Sequence, residues 1–165
     1  MGAYICTISE RDWNTAQELG VYGNRFELKE DGKRLGDSQK LSIIRDMISI
    51  KEGDILFFHI RGRKTIHGVY RARSYAIWDT ERIWEDPTNE VFPCRVLFEP
   101  HPDHEKLCLF DAYTNVSSLY ELIDQGNIRS LITLEFERNI EARAVKRIFF
   151  DDAEKITRLL YRDFK

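Results

Sequence analysis

The stretch Lys51 to Ala72, KEGDILFFHIRGRKTIHGVYRA, decides the fold class. Lys51-Glu-Gly-Asp54 reads as a turn, and Ile55 to Ile60 is an unbroken β-type run. Arg61-Gly-Arg-Lys64 is a polar hairpin tip, and Ile66 to Ala72 is the returning strand. Upstream, Tyr4 to Ser9 is a short β-rich run, and Trp13, Ala16 and Leu19 have the spacing of a two-turn helix that begins near Asp12 and ends at Gly20. Residues 23–36 are polar and Gly-bearing and read as a surface loop. Asp37 or Ser38 can cap a second helix, whose apolar stripe is Leu41, Ile44, Met47 and Ile48, up to Ile50.

Downstream, a connection over 73–91 carries Tyr75, Trp78 and Trp84 among charged residues. Phe92 to Phe98 alternates as a strand, and Pro93 marks it as an edge strand or a strand start. Leu107 to Tyr113 is a further strand candidate and Val116 to Ile123 a helix, while Ile132 to Phe136 fits either strand or helix. Asp151-Asp-Ala-Glu154 reads as the start of a last helix whose inner face is Ala153, Ile156, Leu159, Leu160 and Phe164. These elements predict one α+β domain over residues 1–165, with a mixed, mostly antiparallel, barrel-like sheet and peripheral helices.

With 165 residues, 42% of them hydrophobic and 12% aromatic, the chain can build one sizeable core. Charged residues make up 32%, yet the net charge is only -3, so a nucleic-acid site has to be a local basic patch. Cys6, Cys94 and Cys108 are too few and too apolar in context for a disulfide framework. They suit a reducing compartment, so a cytoplasmic location is expected. No apolar run approaches the ~20 residues that span a bilayer, and the N-terminus lacks signal-peptide character, so no membrane partner is expected.

The motif LGVYGNRF, Leu19 to Phe26, puts a tyrosine between glycines. Gly20 lets the first helix stop in a left-handed turn, and Tyr22 is then expected to project toward the mouth of the sheet, with Gly23 leaving room beside its ring. The plain alternative is a half-buried core aromatic. Trp78 and Trp84 sit among charges, unlike a helix core stripe, and either project as ligand walls or pack over the sheet as lids. Trp13 belongs to the core. Arg61, Arg63 and Lys64 on the hairpin tip, Arg71 and Arg73 on the returning strand, and Arg25, Lys33 and Arg34 in the 23–36 loop can form a basic rim if they converge; singly, each is a solvated charge.

Three signals occur in one order: a strand, short helix and GVYG; IKEGDILFFHI followed by IHGVYRA; and an aromatic-bearing connection leading to FPCRVLFEP. In this the chain resembles the PUA-like superfamily, and within it the EVE and YTH domains, over most of residues 3–100 and more loosely over SLITLEFERNIEARAVKRIFFDDAEKI. The resemblance implies a nucleic-acid-binding domain that holds one extruded base, often methylated, in an aromatic cage. Carried across, Tyr22 stands where the motif has tryptophan, Gly23 and Asn24 follow at the base edge, and Asp12 matches a polar residue that hydrogen-bonds the base. Trp78 resembles a second cage wall, and Tyr75 or Trp84 a third. Modified DNA is the favoured partner, with RNA the alternative. Such domains also serve as recognition parts of McrB-like, modification-dependent restriction proteins, joined to an ATPase, GTPase or nuclease effector.

Other chemistry has less to stand on. His101 and His104 lie between Cys94 and Cys108, and these are residue types that zinc takes, but both cysteines sit in strand-like apolar runs. There is no phosphate loop, serine elbow, zincin helix or paired-carboxylate motif, so no catalytic residue, metal or cofactor is assigned. A small enzyme or metabolite-binding protein using the same cleft, and an interaction module with the tryptophans as anchors, remain as alternatives.

Overall fold

The computed structural model describes residues 1–128 and 144–164. The run Ile132 to Phe136, and part of the C-terminal resemblance, lie outside the described residues. The chain is α+β. Among the described residues the strands are β1 (Ala3–Ser9), β2 (Val21–Asn24), β3 (Ile55–Arg61), β4 (Thr65–Ala72), β5 (Ile77–Trp78), β6 (Cys94–Pro100), β7 (Tyr113–Asn115) and β8 (Val145–Ile148). They form one curled, mixed sheet in the order β2-β6-β4-β3-β1-β8, with β5 also on β6 and β7 on β4.

Only β1 and β3 pair in parallel, running from Ala3 opposite Ile55 to Ser9 opposite Arg61; the other pairings are antiparallel. A parallel pair needs a long crossover, and residues 10–54 supply it: α1 (Glu10–Leu19), then β2, then α2 (Asp37–Ser49). Both strands are apolar on both faces because both faces are covered. Tyr4, Cys6 and Ile8 of β1 join Leu56, Phe58 and Ile60 of β3 in the core around Trp13. Ala3, Ile5 and Phe57 face a second core with α4 (Val116–Asp124) and α5 (Phe150–Asp163). At the turn before β3, the Asp54 carboxylate accepts from the backbone N–H of Gly2 and of Lys51, each at 2.8 Å. That tie sets the start of β3 against the start of β1.

Three expectations change, and the open choice at Pro93 is decided. The segment after Gly20 is strand β2, pairing antiparallel with β6; the register across a gap of about seventy residues is not a local signal. Of the expected stripe on the second helix Met47 is buried with Ile50, whereas Leu41 and Ile48 are exposed and Ile43 packs on the core in their place. Residues 105–113 contain the short helix α3 (Glu105–Leu109) and a turn rather than a strand; Leu107 and Cys108 are its buried residues. Strand β6 is flanked by β2, β4 and β5, so Pro93 marks a strand start and not an edge. No helix among the described residues is long and apolar enough to cross a membrane.

Candidate functional site

Strands β1, β2 and β3 deliver their C-terminal ends to one place. Ser9 ends β1, Asn24 ends β2 and Arg61 ends β3. Around them lies a cleft of about 810 Å³, walled on one side by Gln39, Ser42 and Asp46 of α2 and closed at the back by Trp84 and Phe92. That volume is within the roughly 300–1,000 Å³ usual for ligand sites.

Each polar side chain is held by a local device. Asp12 lies in the first turn of α1, where a carboxylate suits the helix dipole. Ser9 Oγ donates to its Oδ2 at 2.8 Å, and Arg11 Nε stands 3.7 Å from Oδ1. Asn24 is buried and accepts from the Tyr22 hydroxyl at 3.1 Å. His59 is buried with Nδ1 3.3 Å from Thr7 Oγ1, and burial lowers its pKa to about 4, so the ring is neutral near pH 7. Arg25 is fixed by Asp86, its Nη2 2.6 Å from Oδ1, with its guanidinium 5.1 Å from the Phe92 ring centre. Arg61 pairs with Glu30 across the mouth. The charges lining the cleft balance: Arg25, Lys29, Arg61 and Lys64 against Asp12, Glu30, Asp31 and Asp46.

Of the residues expected from the sequence, the cleft brings together Asp12, Gly23, Asn24, Trp84, Arg25, Arg61 and Lys64. Tyr22 is not among them. It is only 1% exposed and lies in the core beside Phe58, because its position in β2 turns it inward. Its hydroxyl sits 3.0 Å from Thr7 O and 3.2 Å from Ala144 O, and pins β2 to the end of β1. The glycines around it serve packing. A Cβ at Gly20 would meet Phe98 O at 2.6 Å, and one at Gly23 would meet Phe92 O and the Trp84 ring, both at 2.9 Å.

Trp78 and Tyr75 also fall outside the cleft, on the far side of β6. Trp78 is 57% exposed with its ring edge on Phe26, and Tyr75 lies under the Lys51 ammonium. The aromatic at the cleft is therefore Trp84, 3% exposed and seated between Phe92 and the buried Arg95, whose guanidinium is 5.3 Å from its ring centre. Arg63 is tied to Glu10 at 3.0 Å and Arg71 lies 3.5 Å from Glu99, away from the cleft. Arg73 is exposed, with its backbone N–H bonded to Leu97 O on β6. Lys33 and Arg34 lie on the exposed part of the 25–36 loop without lining the cleft. The basic rim thus shrinks from eight expected cations to three, and Lys29 joins them.

Sequence reading missed His59, Ser9, Asp46, Lys29 and Glu30. Ser9 and His59 were findable as polar residues at or near the ends of two paired apolar strands. Glu30 carries no signal, since only the folded loop brings it to Arg61.

Two further arrangements touch chemistry. Thr65 Oγ1, His67 and Asp111 line up at 2.9 and 2.8 Å, like a hydroxyl–imidazole–carboxylate relay. Thr65 and His67 are buried and do not line the cleft, and Gln17 of α1 joins them through Asp111 at 3.0 Å, so the array braces α1 on β4. His104 Nδ1 lies 2.6 Å from the Tyr161 hydroxyl and Cys108 Sγ donates to Val69 O at 2.9 Å. Among the described residues no three His, Cys, Asp or Glu groups converge to hold a metal ion.

No protein-family model matches the chain, and no curated protein matches it. Solved structures do resemble it. A Rhodopseudomonas palustris protein determined by NMR as a structural-genomics target aligns over 98% of this chain and 94% of its own, with a TM-score of 0.57 at 11% identity. A Pseudomonas putida protein, a crystallographic target of the same kind, aligns over 96% of this chain and 99% of its own, with a TM-score of 0.52 at 13% identity. At such identities the likeness is one of fold.

Proposed function

We propose that the chain is a non-enzymatic nucleic-acid reader of the PUA-like, EVE/YTH type, which accepts one extruded, modified base in the cleft at the strand ends. The observation that carries this reading is the meeting of Asp12, Asn24 and Trp84 with Arg25, Arg61 and Lys64 around a space of about 810 Å³. Extrusion costs a few kcal/mol, and stacking on an aromatic ring returns about 1–3 kcal/mol per base. Trp84 takes the wall role for which the sequence suggested Tyr22 and Trp78. The Asp12 carboxylate accepts from an amino or imino edge and repels a carbonyl, which favours adenine or cytosine faces. Modified DNA is the preferred partner, with RNA next, and a restriction effector is the fitting context for a cytoplasmic protein of this kind.

The balanced charge of the cleft favours a second reading, a free amino-bearing small molecule. A binding panel decides between them: duplexes and single strands that each carry one modified base, beside the matching free nucleosides. The reader binds a modified oligonucleotide, loses base preference in Asp12→Asn and keeps it in Trp78→Ala. Binding of the free nucleoside alone would establish the second reading, and binding to neither would remove both.

A further inference from the structure

Residues 25–36 form a strap over the cleft mouth. Its body is self-contained: Leu28 bridges Arg34, Lys29 N–H bonds Lys33 O at 2.7 Å, and Leu35 N–H bonds Glu27 O at 2.9 Å. Its root is pinned, because the buried Glu90 carboxylate accepts from the N–H groups of Glu27 and Leu28 at 3.0 and 2.8 Å. Its outer part reaches across to Arg61 through Glu30.

That contact joins two half-exposed groups at the rim. Exposed ion pairs contribute little net stability, so this one is exchangeable. Lys64 follows Arg61 around the turn at Gly62, and Lys29 and Arg25 stand on the strap side, among the acids Asp12, Asp31 and Asp46 that also line the cleft. Burial lowers the pKa of Arg61, and the neighbouring Arg25 guanidinium lowers it further, so two like charges are held together on either side of the mouth. Asp86 already balances Arg25, and the strap supplies the carboxylate that balances Arg61.

We propose that Arg61, with Arg25, Lys29 and Lys64, forms a subsite for a phosphate oxyanion, and that Glu30 fills it as an internal substitute until the ligand displaces it and frees the strap. A phosphate offers more acceptor oxygens than a carboxylate, and a guanidinium takes it in paired hydrogen bonds. The subsite rests on the reading of the cleft as a ligand site. It supplies that reading with a phosphate anchor, either the nucleic-acid backbone or a free phosphate.

Inorganic pyrophosphate and a single-stranded oligonucleotide are titrated calorimetrically into the wild-type chain, Glu30→Gln and Arg61→Gln, with melting curves to verify folding. In parallel, limited trypsin digestion follows cleavage after Lys29, Lys33 and Arg34. Glu30→Gln is expected to bind pyrophosphate about two- to fivefold more tightly, the affinity equivalent of one exposed ion pair. Arg61→Gln is expected to lose it. Pyrophosphate should speed strap cleavage in the wild type, whereas in Glu30→Gln cleavage is already fast without it. Equal affinity in wild type and Glu30→Gln, or pyrophosphate binding that ignores Arg61→Gln, overturns the subsite, as does no pyrophosphate binding to any variant. Oligonucleotide binding that is the same in wild type, Glu30→Gln and Arg61→Gln leaves the reader standing and removes the subsite. A pyrophosphate response without oligonucleotide binding does the reverse.

Discussion

At the scale of single residues, the glycine at 23 decides more than the tyrosine beside it. Tyr22 is a core residue, and Gly23 is where the back of the cleft touches β2. Gly23→Ala puts a methyl 2.9 Å from both Phe92 O and the Trp84 ring. Overpacking of that kind costs about 1–3 kcal/mol, and Tm should fall by ~2–4 °C for each kcal/mol. An unchanged melting curve would show that Trp84 is free to move. His59 makes a second, separate prediction. Its folded pKa is about 4 against an ordinary 6.5 because the ring is buried. Between those values the unfolded chain holds the proton and the folded chain does not, so stability falls as pH drops through that window, by up to about 1.4 kcal/mol per pH unit. Below pH 4 this contribution is flat. Denaturant unfolding between pH 7 and pH 4 should show the slope in the wild type and a weaker one in His59→Gln.

At the scale of elements, the long connection before β6 behaves as a built wall. Arg95 is almost fully buried and donates to the carbonyls of Phe92 at 3.0 Å and Val91 at 3.2 Å, and to that of Glu81, while Asp79 balances its charge at 3.3 Å. Arg95→Met leaves those buried carbonyls unpaired at about 1–3 kcal/mol for each one that water does not reach, and releases the ring of Trp84. Among the three tryptophans only Trp78 is exposed in the folded chain, so loosening the wall should appear as a red shift of Trp84 emission in a Trp78→Phe background. An unshifted spectrum would mean that Phe92 alone seats the ring. Which elements the sequence revealed follows from where their information lies. The β3–β4 hairpin and β1 were legible because strand period and a glycine-bearing tip are local. Strand β2 was not, since four residues with a central glycine pair with a partner far along the chain. Helix α2 carries more apolar positions than one face can bury: of the expected Leu41, Ile44, Met47 and Ile48, packing against the sheet keeps Met47, adds Ile43 and Ile50, and leaves Leu41 and Ile48 exposed. The cleft residues Asp12, Gly23 and Asn24 were found through a motif. Glu30, Lys29 and Asp46 were not, because their loop and helix come to the cleft only through the crossover between β1 and β3.

At the scale of the whole molecule, charge sets how nucleic acid can bind. The chain carries -3 overall, and the eight charged side chains that line the cleft among the described residues cancel. Long-range steering is therefore weak, and in the proposed reader affinity comes from the base in the cleft and a few phosphates at its rim. Arg63 and Arg71 are paired away from the cleft with Glu10 and Glu99, and Arg61 and Lys64 stand beside the mouth for backbone contact, with Arg25 and Lys29 on the strap side. Each neutralised phosphate contributes a slope of about -0.7 in log K against log salt for a single strand. Two contacts thus predict a loss of only about sevenfold between 50 and 200 mM salt, measured by fluorescence anisotropy with a modified oligonucleotide. The same measurement on Arg61→Gln should lower the slope by about one contact's share and leave base preference intact, because in the proposed reader Arg61 meets the backbone and Asp12 the base edge. A loss of a thousandfold over that range would require about seven phosphate contacts on a single strand, more than the cations that the described residues bring to the cleft, and would move the nucleic-acid interface to another face of the molecule.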